Sequence, residues 1–262
     1  SALVVSGSPL AGQQRRVMNE QDLLKFVWIA DPQVSPDASQ IVYVRVVVNE
    51  KADDYETSLW IVPSDGHDAP RPLTMGTRDS SPRFSPDGKR LAFVRGPAGQ
   101  PSQIHLISLA GGEAAALTEM PRGAGSPAWS PDGMKIAFSS TTKSEDFEKK
   151  PDAPKSDVRV ITSAVYRSNG SGWDDPEHPS HLWVIDAALG SPLPKARALT
   201  AGKYDEAGQD WSPDGLRVYF TSTREDESYY RQSKVELFSV PACGGEITKV
   251  ASLNGTIAAV KP

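Results

Sequence analysis

Apolar residues fall in short clusters separated by stretches rich in Pro, Asp, Gly and Ser, and the clusters recur in a fixed order. Ile41-Val42-Tyr43-Val44, Leu91-Ala92-Phe93-Val94, Ile136-Ala137-Phe138-Ser139 and Val218-Tyr219-Phe220-Thr221 are β-branched and aromatic, the composition of strands. Each follows a copy of one tetrapeptide: Ser35-Pro36-Asp37-Ala38, Ser85-Pro86-Asp87-Gly88, Ser130-Pro131-Asp132-Gly133 and Ser212-Pro213-Asp214-Gly215. Ahead of each turn stands Val34, Phe84, Trp129 or Trp211, placed to end the preceding strand with its side chain buried. A second half follows in every repeat. It runs from Leu59-Trp60-Ile61-Val62 to Leu73-Thr74, from Ile104-His105-Leu106-Ile107 to Leu117-Thr118, from Leu182-Trp183-Val184-Ile185 to Leu199-Thr200, and from Leu237-Phe238-Ser239-Val240 to Val250. Turn formers, among them Ser64-Asp65-Gly66, Gly111-Gly112-Glu113 and Gly244-Gly245-Glu246, divide these halves. Four short strands per repeat are therefore predicted. Pro36, Pro86, Pro131 and Pro213 are 50, 45 and 82 residues apart, so two intervals match a propeller blade and the third holds an insertion. The expected fold is all-β, a β-propeller.

Turn geometry explains the tetrapeptide. Pro presets φ at the second position of a type I turn, Asp tolerates the bridge region, and Gly takes the following φ > 0 position. Asp37, Asp87, Asp132 and Asp214 are accordingly read as turn residues, since they recur with the hairpin and not with one site. Ala38 breaks the pattern, and the same geometry there strains it by roughly 1–2 kcal/mol.

The blades are expected at about 31–74, 79–119, 126–200 and 205–252, the third carrying an insertion over 141–180, after a flexible segment 1–18. The insertion opens with the charged run Lys143 to Pro151 and continues through Val158 to Thr162 and Tyr166 to Asp175. Long insertions of this kind are usually functional. Asn19 is a helix cap, and one short helix is predicted from Glu20 to Trp28. Residues 253–262 look like the opening strand of a fifth unit. Because an open propeller leaves exposed strand edges, the chain is expected to belong to a longer protein or to pair with a missing piece.

Composition narrows the chemistry. With 28 Lys+Arg against 33 Asp+Glu the net charge is −5, and the Trp and Tyr residues are not interleaved with basic ones, so a nucleic-acid partner is not expected. The apolar runs, such as Ile41 to Val44 and Val46 to Val48, fall far short of the ~20 residues that cross a bilayer, so no membrane partner is expected either. Ser1 to Gln14 lacks the charged and apolar regions of a signal peptide, which is read as absent or already removed. Cys243 has no disulfide partner, which leaves the compartment open, and it is read as structural. His178 and His181 stand near Asp174, Asp175 and Glu177, but Pro176 and Pro179 break the helix that would align them, so no metal and no cofactor is expected. His67 and His105 are read as ordinary turn and strand residues.

These features resemble the N-terminal propeller of prolyl-oligopeptidase-family serine peptidases, in the acylaminoacyl-peptidase and dipeptidyl-peptidase branch. The resemblance rests on Asn19-Glu20-Gln21-Asp22-Leu23-Leu24 running to Asp31-Pro32-Gln33-Val34, on the repeated turns, and on Tyr166-Arg167-Ser168-Asn169-Gly170-Ser171-Gly172 ahead of His181-Leu182-Trp183-Val184-Ile185-Asp186. It implies a ring of about seven blades, of which this chain supplies about four and the start of a fifth, over a C-terminal α/β-hydrolase domain not in this chain. There a serine on a Gly-x-Ser-x-Gly elbow, a histidine and an aspartate would perform the hydrolysis of short or acylated peptides. No serine of this sequence has that glycine spacing, so no catalytic residue is assigned and the segment alone is expected to be inactive. Substrate contacts are expected in the insertion. Arg167 is the leading candidate, able to hold a carbonyl or carboxylate by two parallel hydrogen bonds, and Tyr166 lies beside it. Glu145, Glu148, Asp174 and Asp175 are candidates for a free amino terminus, and Trp173 for stacking. The implied partners are a peptide substrate and the missing catalytic domain or remaining blades, with a homo-oligomer left open. The alternative is a protein-binding propeller without chemistry, of the periplasmic Tol type, which shares the repeated turns.

Overall fold

The structure, a computed structural model, describes residues 17–148, 161, 166–168, 172–173, 175–226, 234–253 and 255–257. Four antiparallel sheets of four strands each follow one another along the chain. Blade 1 consists of β1 (Val27–Val34), β2 (Gln40–Asn49), β3 (Asp54–Pro63) and β4 (Arg71–Pro72); blade 2 of β5 (Asp79–Phe84), β6 (Arg90–Arg95), β7 (Gln103–Ser108) and β8 (Ala115–Ala116). Blade 3 pairs β9 (Gly125–Trp129), β10 (Lys135–Ser140), β13 (His181–Asp186) and β14 (Arg197–Ala198), and its insertion holds a separate two-stranded ribbon, β11 (Arg167–Ser168) and β12 (Gly172–Trp173). Blade 4 is β15 (Glu206–Trp211), β16 (Arg217–Ser222), β17 (Glu236–Pro241) and β18 (Thr248–Ala251).

The central strands of blades 2 and 3 are apolar on both faces because each of these blades is sandwiched between two neighbours. Val42, Val44, Leu59 and Ile61 of blade 1 pack on Leu91, Phe93 and Ile107 of blade 2. The opposite face of blade 2, with Ala92, Ile104 and Leu106, meets Trp129, Ile136, Phe138 and Trp183 of blade 3. Ala137, Leu182 and Val184 then meet Trp211, Val218, Phe220 and Phe238 of blade 4. Alternation of side chains along a strand makes this two-sided burial. Two tryptophans also tie blades by hydrogen bonds: the Trp129 indole donates to the Arg83 carbonyl and the Trp211 indole to the Ala128 carbonyl, each at 3.0 Å.

The recurring turns have one internal wiring. In each, the Ser hydroxyl donates to the Asp carboxylate at 2.5–2.6 Å and accepts the amide of the residue five positions on at 2.9 Å. The same carboxylate accepts the amide two residues further along, from Ser39, Lys89, Met134 and Leu216. Hydrogen bonding to the charged form lowers all four carboxyls, Asp37 to about 2, with the serine hydroxyl the largest cause. Gly88, Gly133 and Gly215 have φ near +70°, and a Cβ on each would touch the proline of the preceding turn at 3.5–3.7 Å, so the turns stack blade upon blade. Ala38 takes the same conformation, φ 58°, as its turn requires.

Three expectations need correction. The helix spans only Glu20–Leu23, although Asn19 caps it and forms a capping box with Asp22. Val27, Trp28 and Ile29 instead begin β1 opposite Val47, Val46 and Arg45, because the long second strand offers β-branched and aromatic residues a ladder that outweighs a helix without a buried face. Blade 1 therefore begins at Val27, before the expected boundary at about residue 31. Val34 is 58% exposed: among the described residues no blade precedes blade 1 to cover it, whereas Trp129 and Trp211 are covered by theirs. Residues 1–16, 254 and 258–262 lie outside the described residues, and with them most of the expected fifth unit.

Candidate functional site

Strand register sorts the loops onto two rims. The insertion leaves β10 at Ser140 and returns at His181, which pair with each other, at the end of the blade where β9 begins. The stacked turns occupy the opposite rim. Polar contacts fasten the base of the insertion. The Ser140 hydroxyl donates to the Gly123 carbonyl at 2.5 Å, the Arg122 amide donates to the Thr142 hydroxyl at 3.1 Å, and the Arg122 guanidinium reaches Asp175 at 2.5 Å. His178 joins the two ends of the loop, with Nδ1 2.9 Å from Asp175 and Nε2 3.6 Å from Asp146. Asp146 accepts the Lys143 amide and starts a single 3₁₀ turn, Ser144–Phe147, whose Phe147 ring lies 6.1 Å from Trp183.

An open cavity of about 480 Å³ sits beside this base, lined by Lys143, Glu145, Asp146, Glu148, Glu177 and His178. Glu145 and Glu148 are exposed on it and give it an acidic wall. Asp175 is placed differently from the other expected carboxylates. Partial burial raises its carboxyl, but the His178 hydrogen bond and the charges of His178 and Arg122 outweigh that and leave it lowered, so it serves as a buttress. Tyr166 and Arg167 are exposed at the start of the two-stranded ribbon, with Arg167 opposite Trp173 in register. Asp174 lies outside the described residues, and Trp173 is placed by its backbone alone. His178 and His181 diverge: the first stays at the rim, and the second is buried against Glu206 at 2.7 Å. Among the described residues no group of His, Cys, Asp and Glu has the form of a metal site.

Sequence reading missed Arg122, Asp146 and Glu206. Glu206 had a usable signal, since it opens the first strand of blade 4 just as Asp79 opens that of blade 2, and Asp79 is likewise fully buried, in a two-point pair with Arg95 at 2.7 and 2.8 Å.

Residues 12–170 match the family described as PD40, the TolB beta propeller domain. The chain belongs to the PD40 family. This PD40 propeller is 28% identical over 212 residues to the "Uncharacterized peptidase YuxL" of Bacillus subtilis, covering 79% of this chain and 31% of the relative. It is 28% identical over 227 residues to dipeptidyl-peptidase 5 of Porphyromonas endodontalis, with 81% and 32% covered. The chain thus spans about a third of the length of these curated relatives, whose names agree with the peptidase resemblance in the sequence. Among solved structures, the Pyrococcus horikoshii acylaminoacyl peptidase aligns with a TM-score of 0.63 at 19% identity, over 88% of this chain and 33% of that one. A structure described as putative TolB from Agrobacterium tumefaciens aligns at 0.56 and 20% identity, over 85% and 65%. At such identities these likenesses attest the PD40 propeller's fold alone.

Proposed function

We propose that this chain is the substrate-gating propeller portion of a prolyl-oligopeptidase-like serine peptidase that hydrolyses short or acylated peptides, with its triad in a separate C-terminal hydrolase domain. The observation that carries the reading is the blade-3 insertion. A scaffold propeller has no need of a long loop, and this one is fastened to one rim by Arg122, Asp175, His178 and Asp146 while it presents Tyr166, Arg167, Glu145 and Glu148 to solvent. The peptidase relatives support the same reading. In the proposal the acidic wall of Glu145 and Glu148 receives a free amino terminus, Arg167 holds a carbonyl or carboxylate, Tyr166, Trp173 and Asp174 complete the contact surface, and Asp175 keeps the loop base in place.

The test is Arg167→Met in the full-length protein, assayed on short peptides with free and blocked termini. Loss of a charge-assisted pair worth about 1.5–3 kcal/mol lowers kcat/KM about 10- to 100-fold, mostly through KM. Unchanged kinetics on every peptide would remove Arg167 from the site. The alternative, a propeller of the Tol type that binds a protein without chemistry, has the shared family and the TolB-like fold in its favour. It predicts no peptide hydrolysis by the full-length protein at all.

A further inference from the structure

Glu206 is completely enclosed, yet it is an acid, and three donors from three different segments converge on it. His181 Nδ1, on the first residue after the insertion, lies 2.7 Å from Oε2. The Thr200 hydroxyl, on the connection from blade 3 to blade 4, donates to the same oxygen at 2.9 Å. The Arg224 guanidinium, from the segment that follows β16, donates to Oε1 at 2.5 Å and stacks over the Phe238 ring at 5.1 Å. Backbone contacts reinforce the junction. The Glu206 amide donates to the Ser180 carbonyl at 2.8 Å, and the Ser180 amide donates to the neighbouring Asp205 carboxylate at 2.7 Å. The matching pair in blade 2, Asp79 with Arg95, lies between consecutive strands of one sheet.

We propose that Glu206 is a positioning residue that couples the exit of the blade-3 insertion, His178 to Leu182, to the residues that follow β16 up to Asp226, so that these two stretches hold one arrangement together. The substrate-facing part of this assignment rests on the peptidase reading, but the coupling itself does not. A buried carboxylate stripped of one donor cannot turn to water, so its remaining partners must readjust around the uncompensated charge. Loss of one arm is therefore felt at the other. Separate, merely local hydrogen bonds would not transmit it.

Hydrogen exchange of the purified protein tests this. In Arg224→Met, amides in 178–182, on the far side of Glu206, exchange about tenfold faster, the factor corresponding to one charge-assisted hydrogen bond, while 90–108 of blade 2 is unchanged. In Glu206→Gln both 178–182 and 222–226 accelerate together. A response to Arg224→Met confined to 217–226, an equal acceleration in blade 2, or no response would each overturn the coupling. Should Glu206→Gln fail to fold, Thr200→Val, which removes only a hydroxyl, is predicted to accelerate 178–182 and 222–226 together, and a change in one alone would overturn it. None of these outcomes depends on peptide hydrolysis, so the coupling and the peptidase reading fail separately.

Discussion

Replacing Ala38 with glycine should stabilise this protein. Ala38 sits at φ 58° in the first of four equivalent turns, and glycine fills the matching place in the other three. The left-handed conformation costs an L-residue roughly 1–2 kcal/mol, and glycine gives back about 0.5–1 kcal/mol through the greater entropy of its unfolded chain. Ala38 is exposed, so the lost methyl removes no buried contact. The net gain is about 0.5–1 kcal/mol, a rise of roughly 1–4 °C in melting temperature for a domain of this size. The reverse change, Gly133→Ala, should cost about the same amount, because its Cβ would meet Pro86 at 3.5 Å, an ordinary contact, and only the backbone is strained. Thermal and urea unfolding of Ala38→Gly, Gly133→Ala and the parent measure both signs. If Ala38→Gly destabilises, or if Gly133→Ala is neutral, the stacked-turn account of the repeat is refuted.

Trp211→Phe keeps most of the ring but removes the donor to the Ala128 carbonyl across the blade 3–4 interface, and should cost about 1–3 kcal/mol in urea unfolding; a cost near zero would mean that the indole does not tie the blades. Gly123→Ala should be costlier than Gly133→Ala, at about 2 kcal/mol or more, since at φ +88° its Cβ would lie 3.1 Å from the Ser102 carbonyl oxygen and 3.3 Å from its amide nitrogen; equal costs would contradict that close approach. Acid should loosen the turns. Asp37, Asp87, Asp132 and Asp214 are all lowered in the folded state, so the unfolded chain binds more protons in the carboxylate range, and the stability they contribute is present above 3.8 and is lost as pH falls toward about 2. Circular dichroism across that range should show Asp37→Asn blunting the pH dependence, and an unaltered profile would count against the hydrogen-bonded turn.

The repeat, the turns and the apolar strands were legible because each follows from local rules repeated four times. Ser35, Ser85, Ser130 and Ser212 were visible but their wiring was not, since accepting an amide five residues on needs the folded hairpin. The helix was overextended because capping by Asn19 marks a start, while its end was decided by the unusually long β2, a tertiary partner that propensity does not see. The first strand of each blade also carries a residue with positive φ, Asp31, Ser81, Ser126 or Gly208, beside the register break. Pro32, Pro82 and Pro127 follow three of them, a proline placement that marks a bulge. At the site, the insertion was read from spacing, and its exposed candidates Arg167, Glu145 and Glu148 from charge. Arg122 and Glu206 could not be, because their partners Asp175, His181 and Arg224 come from distant segments.

The central claim, that this propeller gates a serine peptidase, is tested most directly by the intact mass of the native protein under denaturing conditions after treatment with a serine-directed fluorophosphonate. The account predicts one labelled polypeptide about three times the length of this chain, in proportion to its curated relatives. An unlabelled polypeptide of these 262 residues, with no labelled chain accompanying it, would contradict the account and leave a propeller that works by binding alone.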